Sequence, residues 1–346
     1  VGFYALKANT TGHSNVAVGT YALDANSVGL YNTGVGYGAL TAHTVADSNT
    51  AVGYNSLAAN TTASNNTAVG RSALGANTTG HGNVAVGRLC LDANTTGLAN
   101  TAMGNSALGA NTTADNNTAV GSSALGANTT GASNVAVGGN AMATYVTGDS
   151  NTALGYYALG AGTSASGNNN TAVGRESLYA NTTGANNTSV GYIALDANTT
   201  GASNVAVGAG SLGANTTANS NVGVGVDSLN ANTTGTQNSA IGTSALKENT
   251  TANNNTAVGY HALEENTTGT SNVAVGAFAQ DACTTGDQNV GVGKNAIGTN
   301  TTGDANTAVG HGALAVATTA DNNTAVGHHS LVANTTGTNN TAVGSG

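Results

Sequence analysis

A glycine that returns every 17 residues constrains this chain more than any other feature. It stands at 2, 19, 36 and onward to 344, and the one irregular interval is the 19 residues from 155 to 174. We number each repeat from this glycine as position 0. The consensus from −4 to +12 is then N-T-A-V-G-x-x-A-L-x-A-N-T-T-G-x-x, with Asn at −4 in all 20 complete repeats and Val at −1 in 18 of 21.

This period predicts an all-β parallel β-solenoid (β-roll) of about 20 coils, with 17 residues in each coil. Helices are disfavoured because Gly, Asn and Thr are poor or mediocre helix formers. T-A-V and A-L-x-A alternate like short strands, and N-T-T-G and the repeated glycine are typical of turns. Like residues should therefore stack about 4.8 Å apart, with the Asn column hydrogen-bonded from coil to coil. Representative residues of the predicted Asn and Gly columns are Asn66, Asn83, Asn100, Gly70, Gly87 and Gly104.

The repeat continues without a change of composition through residues 1–346, so we expect a single continuous solenoid domain. The two extra residues of the irregular interval predict a loop insertion within 160–169. Because the sequence begins and ends within a repeat, we expect it to be an excerpt of a longer polypeptide.

Composition and motifs narrow the possible functions. Six Lys and Arg residues against a net charge of −9 disfavour a nucleic-acid partner. No apolar run approaches the roughly 18 residues of a membrane span, so we expect no membrane insertion. We also expect no catalytic site, no cofactor and no enzyme activity, because known catalytic motifs are missing and short coils leave no long loops for a cleft. Cys90 and Cys283 are eleven coils apart, too far for a disulfide.

The distribution of small residues predicts a homo-oligomer, most simply a homotrimeric rod. We expect −1, −3 and +4 to face inward, which leaves −2 outward. Position −2 is nevertheless only Ala, Gly or Ser in all 20 repeats, which indicates another surface pressed against it. Strand propensity or repeat duplication is the alternative explanation. Glu248 and Glu265 occupy +6 in consecutive repeats, so +6 should be a rim rather than core.

The variable positions are where specific binding could occur. Tyr156, Tyr157, Arg175 and Tyr192 fall at +1 or +2 of three neighbouring repeats, and such a strip could stack on sugars or contact protein. The alternative is a solubilising and packing outer edge. Lys294, His311 and His328 form a column at +1, but they lack the orienting acid expected of an active site.

A second variable column carries acids at +11. Asp287, Asp304 and Asp321 occupy this position in consecutive repeats, and stacked carboxylates repel unless a hard cation such as Ca²⁺ bridges them. Exposed, hydrated acids in turns are the alternative interpretation. We expect no other metal site in the chain.

Two segments carry a family resemblance. N-T-A-V-G-Y-N-S-L-A-A-N-T-T at 49–62 and N-T-A-V-G-Y-H-A-L-E-E-N-T-T-G at 255–269 resemble repeats of phage tail-fibre proteins and of some large bacterial surface proteins, which often end in an intramolecular chaperone of the endosialidase type. More distantly, they are similar to the head repeats of trimeric autotransporter adhesins, which are trimeric β-rolls. The resemblance covers essentially the whole chain and implies a trimeric extracellular fibre used for attachment.

These observations predict the structural shaft of an extracellular fibre, such as a viral tail fibre that spaces a receptor-binding tip from the particle. The expected partners are further copies of the chain and a host surface glycan or protein, and the expected location is a virion appendage or a cell surface. A bacterial adhesin or self-assembling filament is one alternative. An ice-binding solenoid is another, suggested by Thr at −3, +8 and +9, although adjacent Thr residues should face opposite sides.

Overall fold

Each repeat forms one coil that contains a single three-residue strand. The computed structural model describes residues 1–160 and 165–346, and in these ranges it has 20 strands and no helix. Part of the predicted insertion, residues 161–164, lies outside the described residues. The strands are β1 (Val16–Val18), β2 (Thr33–Val35), β3 (Thr50–Val52), β4 (Thr67–Val69), β5 (Val84–Val86), β6 (Thr101–Met103), β7 (Thr118–Val120), β8 (Val135–Val137), β9 (Thr152–Leu154), β10 (Thr171–Val173), β11 (Thr188–Val190), β12 (Val205–Val207), β13 (Val222–Val224), β14 (Ser239–Ile241), β15 (Thr256–Val258), β16 (Val273–Val275), β17 (Val290–Val292), β18 (Thr307–Val309), β19 (Thr324–Val326) and β20 (Thr341–Val343).

The chain divides into two compact units, Val1–Ala172 and Val173–Gly346. The first unit contains β1–β9, the second contains β11–β20, and β10 lies at the boundary. Within each unit every strand pairs in parallel with the next one in a register of 17 residues, as in Ala68 with Ala85 and Ala257 with Ala274. The predicted all-β parallel solenoid with 17-residue coils is therefore confirmed.

The A-L-x-A segment forms turns, so its prediction as a strand was wrong. Ala107 and Leu108 are consecutive and both fully buried, whereas neighbouring residues of a strand face opposite sides. Leu108 has a φ of 51°, a left-handed conformation that costs roughly 1–2 kcal/mol. Its side chain fills the core, and its amide donates to the carbonyl oxygen of Ala124 in the next coil at 3.0 Å. Burial and this bond offset the backbone strain.

The strand faces are reversed relative to the sequence prediction. Position −2 is buried in all the internal coils, while −3 and −1 lie on the outer surface; Met103 at −1, for example, is 44% exposed. The reason is the width of the coil. A Cβ added at Gly34 would lie 3.3 Å from Cγ of Leu23 and 3.3 Å from the carbonyl oxygen of Ala39. The space opposite Leu therefore admits a methyl group but not a valine.

Position +3 is only Ala, Ser or Cys in all 20 repeats, and these small residues have the same explanation. Ser56 donates from Oγ to the carbonyl oxygen of Ala68 at 2.9 Å, and Cys90 lies with its Sγ 3.1 Å from the carbonyl oxygen of Ala102. Position +3 thus packs against −2 of the following coil, inside one chain. The small-residue columns are core positions, so they give no support to the predicted trimer.

The two glutamates at +6 lie at a rim, as predicted. Glu248 is half-buried, and its Oε1 lies 3.3 Å from Nζ of Lys247. Glu265 is exposed. Both carboxylates therefore remain accessible to solvent and avoid the free-energy cost of burying an unpaired charge.

Two asparagine ladders run through the core. In the −4 ladder, Oδ1 of Asn83 accepts from the amide of Asn100 at 2.9 Å, and its Nδ2 donates to the carbonyl oxygen of Gly97 at 2.8 Å. Asn66 accepts in the same way from the amide of Asn83, which confirms the predicted Asn66–Asn83–Asn100 stack. In the +7 ladder the amides bond directly, as Asn94 Nδ2 does to Asn77 Oδ1 at 2.9 Å. Buried polar groups are thereby satisfied from coil to coil.

The +7 ladder is interrupted where the repeat lacks Asn. Three buried Asn Oδ1 atoms have no hydrogen-bond partner within the described parts of the chain, and each belongs to the coil before such an interruption. They are Asn26, Asn128 and Asn266, followed in the column by His43, Tyr145 and Cys283. The orphaned oxygens show that the ladder depends on side-chain identity.

The glycine at position 0 is required by both conformation and space. Gly87 has a φ of 142°, which L-residues rarely adopt, and a Cβ there would overlap the carbonyl oxygen of Gly104. Gly70 stands in the same relation to Gly87. The stacked column Gly70–Gly87–Gly104 is therefore a steric consequence of the close approach between coils.

Candidate functional site: the outward columns

The outer face of the strands carries one apolar column, at position −1. Position −1 is Val, Met, Leu or Ile in all 21 repeats, and −3 is Thr, Val or Ser. Val69 is 37% exposed and Ile241 is 45% exposed, so these side chains reach solvent in both units. The solvent-facing side of a sheet normally carries polar residues. An apolar column retained in every coil is the pattern of a contact surface.

Threonine columns +8 and +9 divide between structure and surface. Thr78 at +8 is half-buried and donates from Oγ1 to the carbonyl oxygen of Thr95 at 3.1 Å, and Thr95 repeats this bond to Thr112. Thr79 at +9 is exposed. Of these two adjacent columns, +9 is therefore the more exposed, which agrees with the prediction that only one of them faces outward.

The residues of the predicted aromatic and guanidinium strip are divided between the two units. In the first unit, Tyr156 is exposed and its ring meets that of Tyr157 edge-on, with 4.5 Å between the ring centroids. In the second, Arg175 Cζ lies 5.6 Å from the ring centroid of Tyr192 and its Nη2 lies 3.0 Å from Glu176. The guanidinium charge is thus already shared with a carboxylate, which weakens its attraction for an anion.

A longer aromatic column lies near the start of the first unit and was missed from sequence. Ring centroids are 6.1 Å apart for Phe3 and Tyr21, 5.8 Å for Tyr21 and Tyr37, and 5.4 Å for Tyr37 and Tyr54. Its signal was the enrichment of aromatic residues at +1 and +2. These rings pack mainly on one another, because the Tyr37 and Tyr54 planes are stacked within 11°. The rings therefore contact one another from coil to coil while Phe3, Tyr37 and Tyr54 remain exposed.

The aspartates at +11 accept hydrogen bonds from the preceding coil. Asp304 Oδ1 accepts from the amide of Asp287 at 2.7 Å, and Asp321 Oδ1 accepts from the amide of Asp304 at 2.8 Å. Asp287 Oδ1 accepts from both the amide and the hydroxyl of Thr270. Ser64 and Asn253 take the same role in other coils. A backbone donor for each carboxylate accounts for this column without a bridging cation.

A third histidine, His329, lies beside the +1 histidine column, although it was not among the residues predicted from the sequence. His329, at +2, lies with its ring centroid 4.2 Å from that of His328 and 5.2 Å from that of His311. The adjacent His-His pair was the available signal. Among the described residues, these three form the one group of His, Cys, Asp or Glu side chains close enough to share a metal ion.

Two shallow grooves lie beside the +5 column. One, in the first unit, is lined by Leu89, Asp92, Ser106 and Gly109, and burial raises the pKa of Asp92. The other, in the second unit, is lined in part by Phe278, Asp281, Lys294 and Gly298. Burial also raises the pKa of Asp281, opposed by hydrogen bonds from its own amide and that of Ala282 and reinforced by the charge of Glu264. Each groove is open to solvent and contains one carboxylate, that of Asp92 or that of Asp281.

Membrane-spanning helices and similarity to known proteins are two further sources of evidence about function. The described residues contain no helix long and apolar enough to cross a membrane. No protein-family model and no curated protein matches this chain.

Proposed function

We propose that this chain is the structural shaft of an extracellular fibre, of the kind that holds a receptor-binding tip away from a virus particle. The observation that carries this proposal is the repetition of the same interior bonds in successive coils. Asn at −4, Asn at +7 and Thr at +8 each link one coil to the next, while most of the sequence variation falls at outward positions. Such a design specifies length and rigidity rather than a cleft.

The shaft assembles as a homotrimer through the apolar column at −1. A uniform column that repeats every coil is matched best by a surface with the same spacing, which a parallel copy of the chain supplies. Full burial of a Val side chain stabilises by about 1.5–3 kcal/mol, so covering the roughly 40% that is exposed contributes about 0.6–1.2 kcal/mol per position. Ten of the 21 positions are exposed to about this extent or more, and together they give roughly 6–12 kcal/mol per chain, which is comparable with the estimated association cost of about 4–15 kcal/mol.

Native mass spectrometry with paired variants tests the assembly. The unaltered chain should have the mass of three copies. Lys at Val69 and Met103 places charges in the −1 column and should yield monomers, whereas the control with Lys at Thr79 and Thr113 alters the exposed +9 column and should remain trimeric. A monomeric unaltered chain, or equal dissociation of both variants, would refute the role of the −1 column.

Deletion of whole repeats in the intact fibre tests the spacer role. Removing residues 87–103 deletes one 17-residue coil and should shorten the shaft by about 4.8 Å while attachment to the host is kept. If attachment disappears on removal of coils that leave the fold intact, the chain itself carries the binding surface. The adhesin function would then replace the spacer function.

Ice binding is a second candidate, favoured by the outward Thr and Val columns at −3 and −1. It competes with trimerisation for the same face. A monomeric chain that produces thermal hysteresis, with loss of hysteresis on changing Val69 to Lys, would support it. A trimer without hysteresis would exclude it.

A further inference from the structure

Three histidines meet on two adjacent coils of the second unit. His311 occupies +1 of one coil, and His328 and His329 occupy +1 and +2 of the next. One ligand nitrogen from each of the three rings lies within 4.8 Å of the others. His311 and His328 are exposed and His329 is half-buried, so all three can be reached from solvent.

A glycine makes room for this arrangement. Gly312 precedes His329 by one coil at position +2, where many coils carry Ser, Asn or a larger residue. A Cβ at Gly312 would lie 2.8 Å from Nδ1 of His329, so the imidazole occupies the space that a side chain at 312 would take. The absence of that side chain lets the His329 ring lie over the coil that carries His311.

We propose that His311, His328 and His329 form a binding site for a first-row transition-metal ion such as Zn²⁺, Co²⁺ or Ni²⁺. Neutral imidazole is a preferred ligand of these ions, with metal–nitrogen distances near 2.0–2.1 Å for zinc. Tetrahedral coordination brings ligand nitrogens to about 3.4 Å from one another. Because the nitrogens now lie within 4.8 Å of one another, metal binding requires them to approach by up to about 1.4 Å through side-chain rotation.

The bound ion would link two coils. His311 belongs to the coil of Gly310 and the other two ligands belong to the coil of Gly327, so the metal joins neighbouring turns of the solenoid at its outer edge. Three protein ligands leave at least one position for water. Because the ion binds the folded arrangement and not the separated coils, it should stabilise the native state.

Cobalt titration of the full chain tests the site. Co²⁺ should bind with one ion per chain, produce visible d–d absorption, and be displaced by Zn²⁺. His311→Ala, His328→Ala and His329→Ala should each weaken binding at least tenfold, and Gly312→Leu should weaken it by displacing the His329 ring. His13→Ala, an exposed histidine in the first unit, is the matched control and should bind like the unaltered chain.

Nuclear magnetic resonance of the imidazole groups gives a second readout that does not depend on the stability of the variants. Zn²⁺ should shift the signals of three of the seven histidines. The proposal is overturned if no Co²⁺ binds at millimolar concentration, if binding is unaffected by all three alanine variants, or if the His13→Ala control loses binding equally.

Discussion

Replacement of Asn83 by Ala tests whether the buried amide ladder holds the coils together. Asn83 Oδ1 accepts from the amide of Asn100 at 2.9 Å and from its Nδ2 at 3.2 Å, and Asn83 Nδ2 donates to the carbonyl oxygen of Gly97 at 2.8 Å. In the variant the buried amide of Asn100 loses its acceptor. Asn100 Nδ2 and the Gly97 carbonyl keep other partners, Ala114 and Asn94.

The expected cost follows from these separate losses. An orphaned buried donor costs about 1–3 kcal/mol, and each of the two remaining bonds contributes about 0.5–1.5 kcal/mol. The free energy of unfolding should therefore fall by roughly 2–6 kcal/mol. Because each coil contacts only its neighbours, the effect should be concentrated around the altered coil.

Urea unfolding and hydrogen exchange measure the two parts of this prediction. The midpoint of unfolding should shift strongly, and the amide of Asn100 should lose protection more than amides several coils away. The control is Thr79→Ala on the exposed +9 column, which should change stability by no more than about 0.5 kcal/mol. Equal stability of the two variants, or unchanged protection at Asn100, would refute the assignment of the ladder.

Three other predictions concern the core and the repeated glycine. Gly87→Ala should prevent normal folding because its Cβ would overlap the next coil. Gly82→Ala, at a glycine with a φ of 69° and no atom within 4 Å of the added Cβ, should lower the free energy of unfolding by only about 1–2 kcal/mol. Circular dichroism on heating compares the two variants, and equal melting temperatures would contradict the steric argument. Burial lowers the pKa of His43, so the unfolded state binds more protons and the stability of the folded chain falls as the pH drops below about 6.5. His43→Asn should remove that loss of stability, as measured by urea unfolding at pH 7 and pH 5. An unchanged pH dependence in the variant would contradict the role of His43. Burial raises the pKa of Cys90 to about 12 and that of Cys283 to about 11. A thiol-specific disulfide reagent at pH 8 should therefore modify both cysteines only after the chain unfolds. Rapid reaction of the native chain would show that the thiols are accessible.

The sequence determined the solenoid, its period and the columns that stack. A 17-residue repeat with one Asn and one Gly at fixed positions brings like residues together in any stacked fold, so the Asn66–Asn83–Asn100 ladder followed directly. The rim position of Glu248 followed from the cost of burying a carboxylate. These predictions depend on periodicity and on the chemistry of single residue types, both of which are local properties of the sequence.

The tertiary structure decided which side of each strand is inside and which outward groups meet. The alternation in T-A-V is compatible with Ala inside and Thr and Val outside, or with the reverse. Only the narrow space opposite Leu23 shows that the methyl group of Ala fits inside and that Val does not. The grouping of His329 with His311 likewise depends on the backbone path at Gly312. Sequence patterns record the order of residues, whereas the volume of the interior and the convergence of side chains from different coils arise only when the coils are stacked.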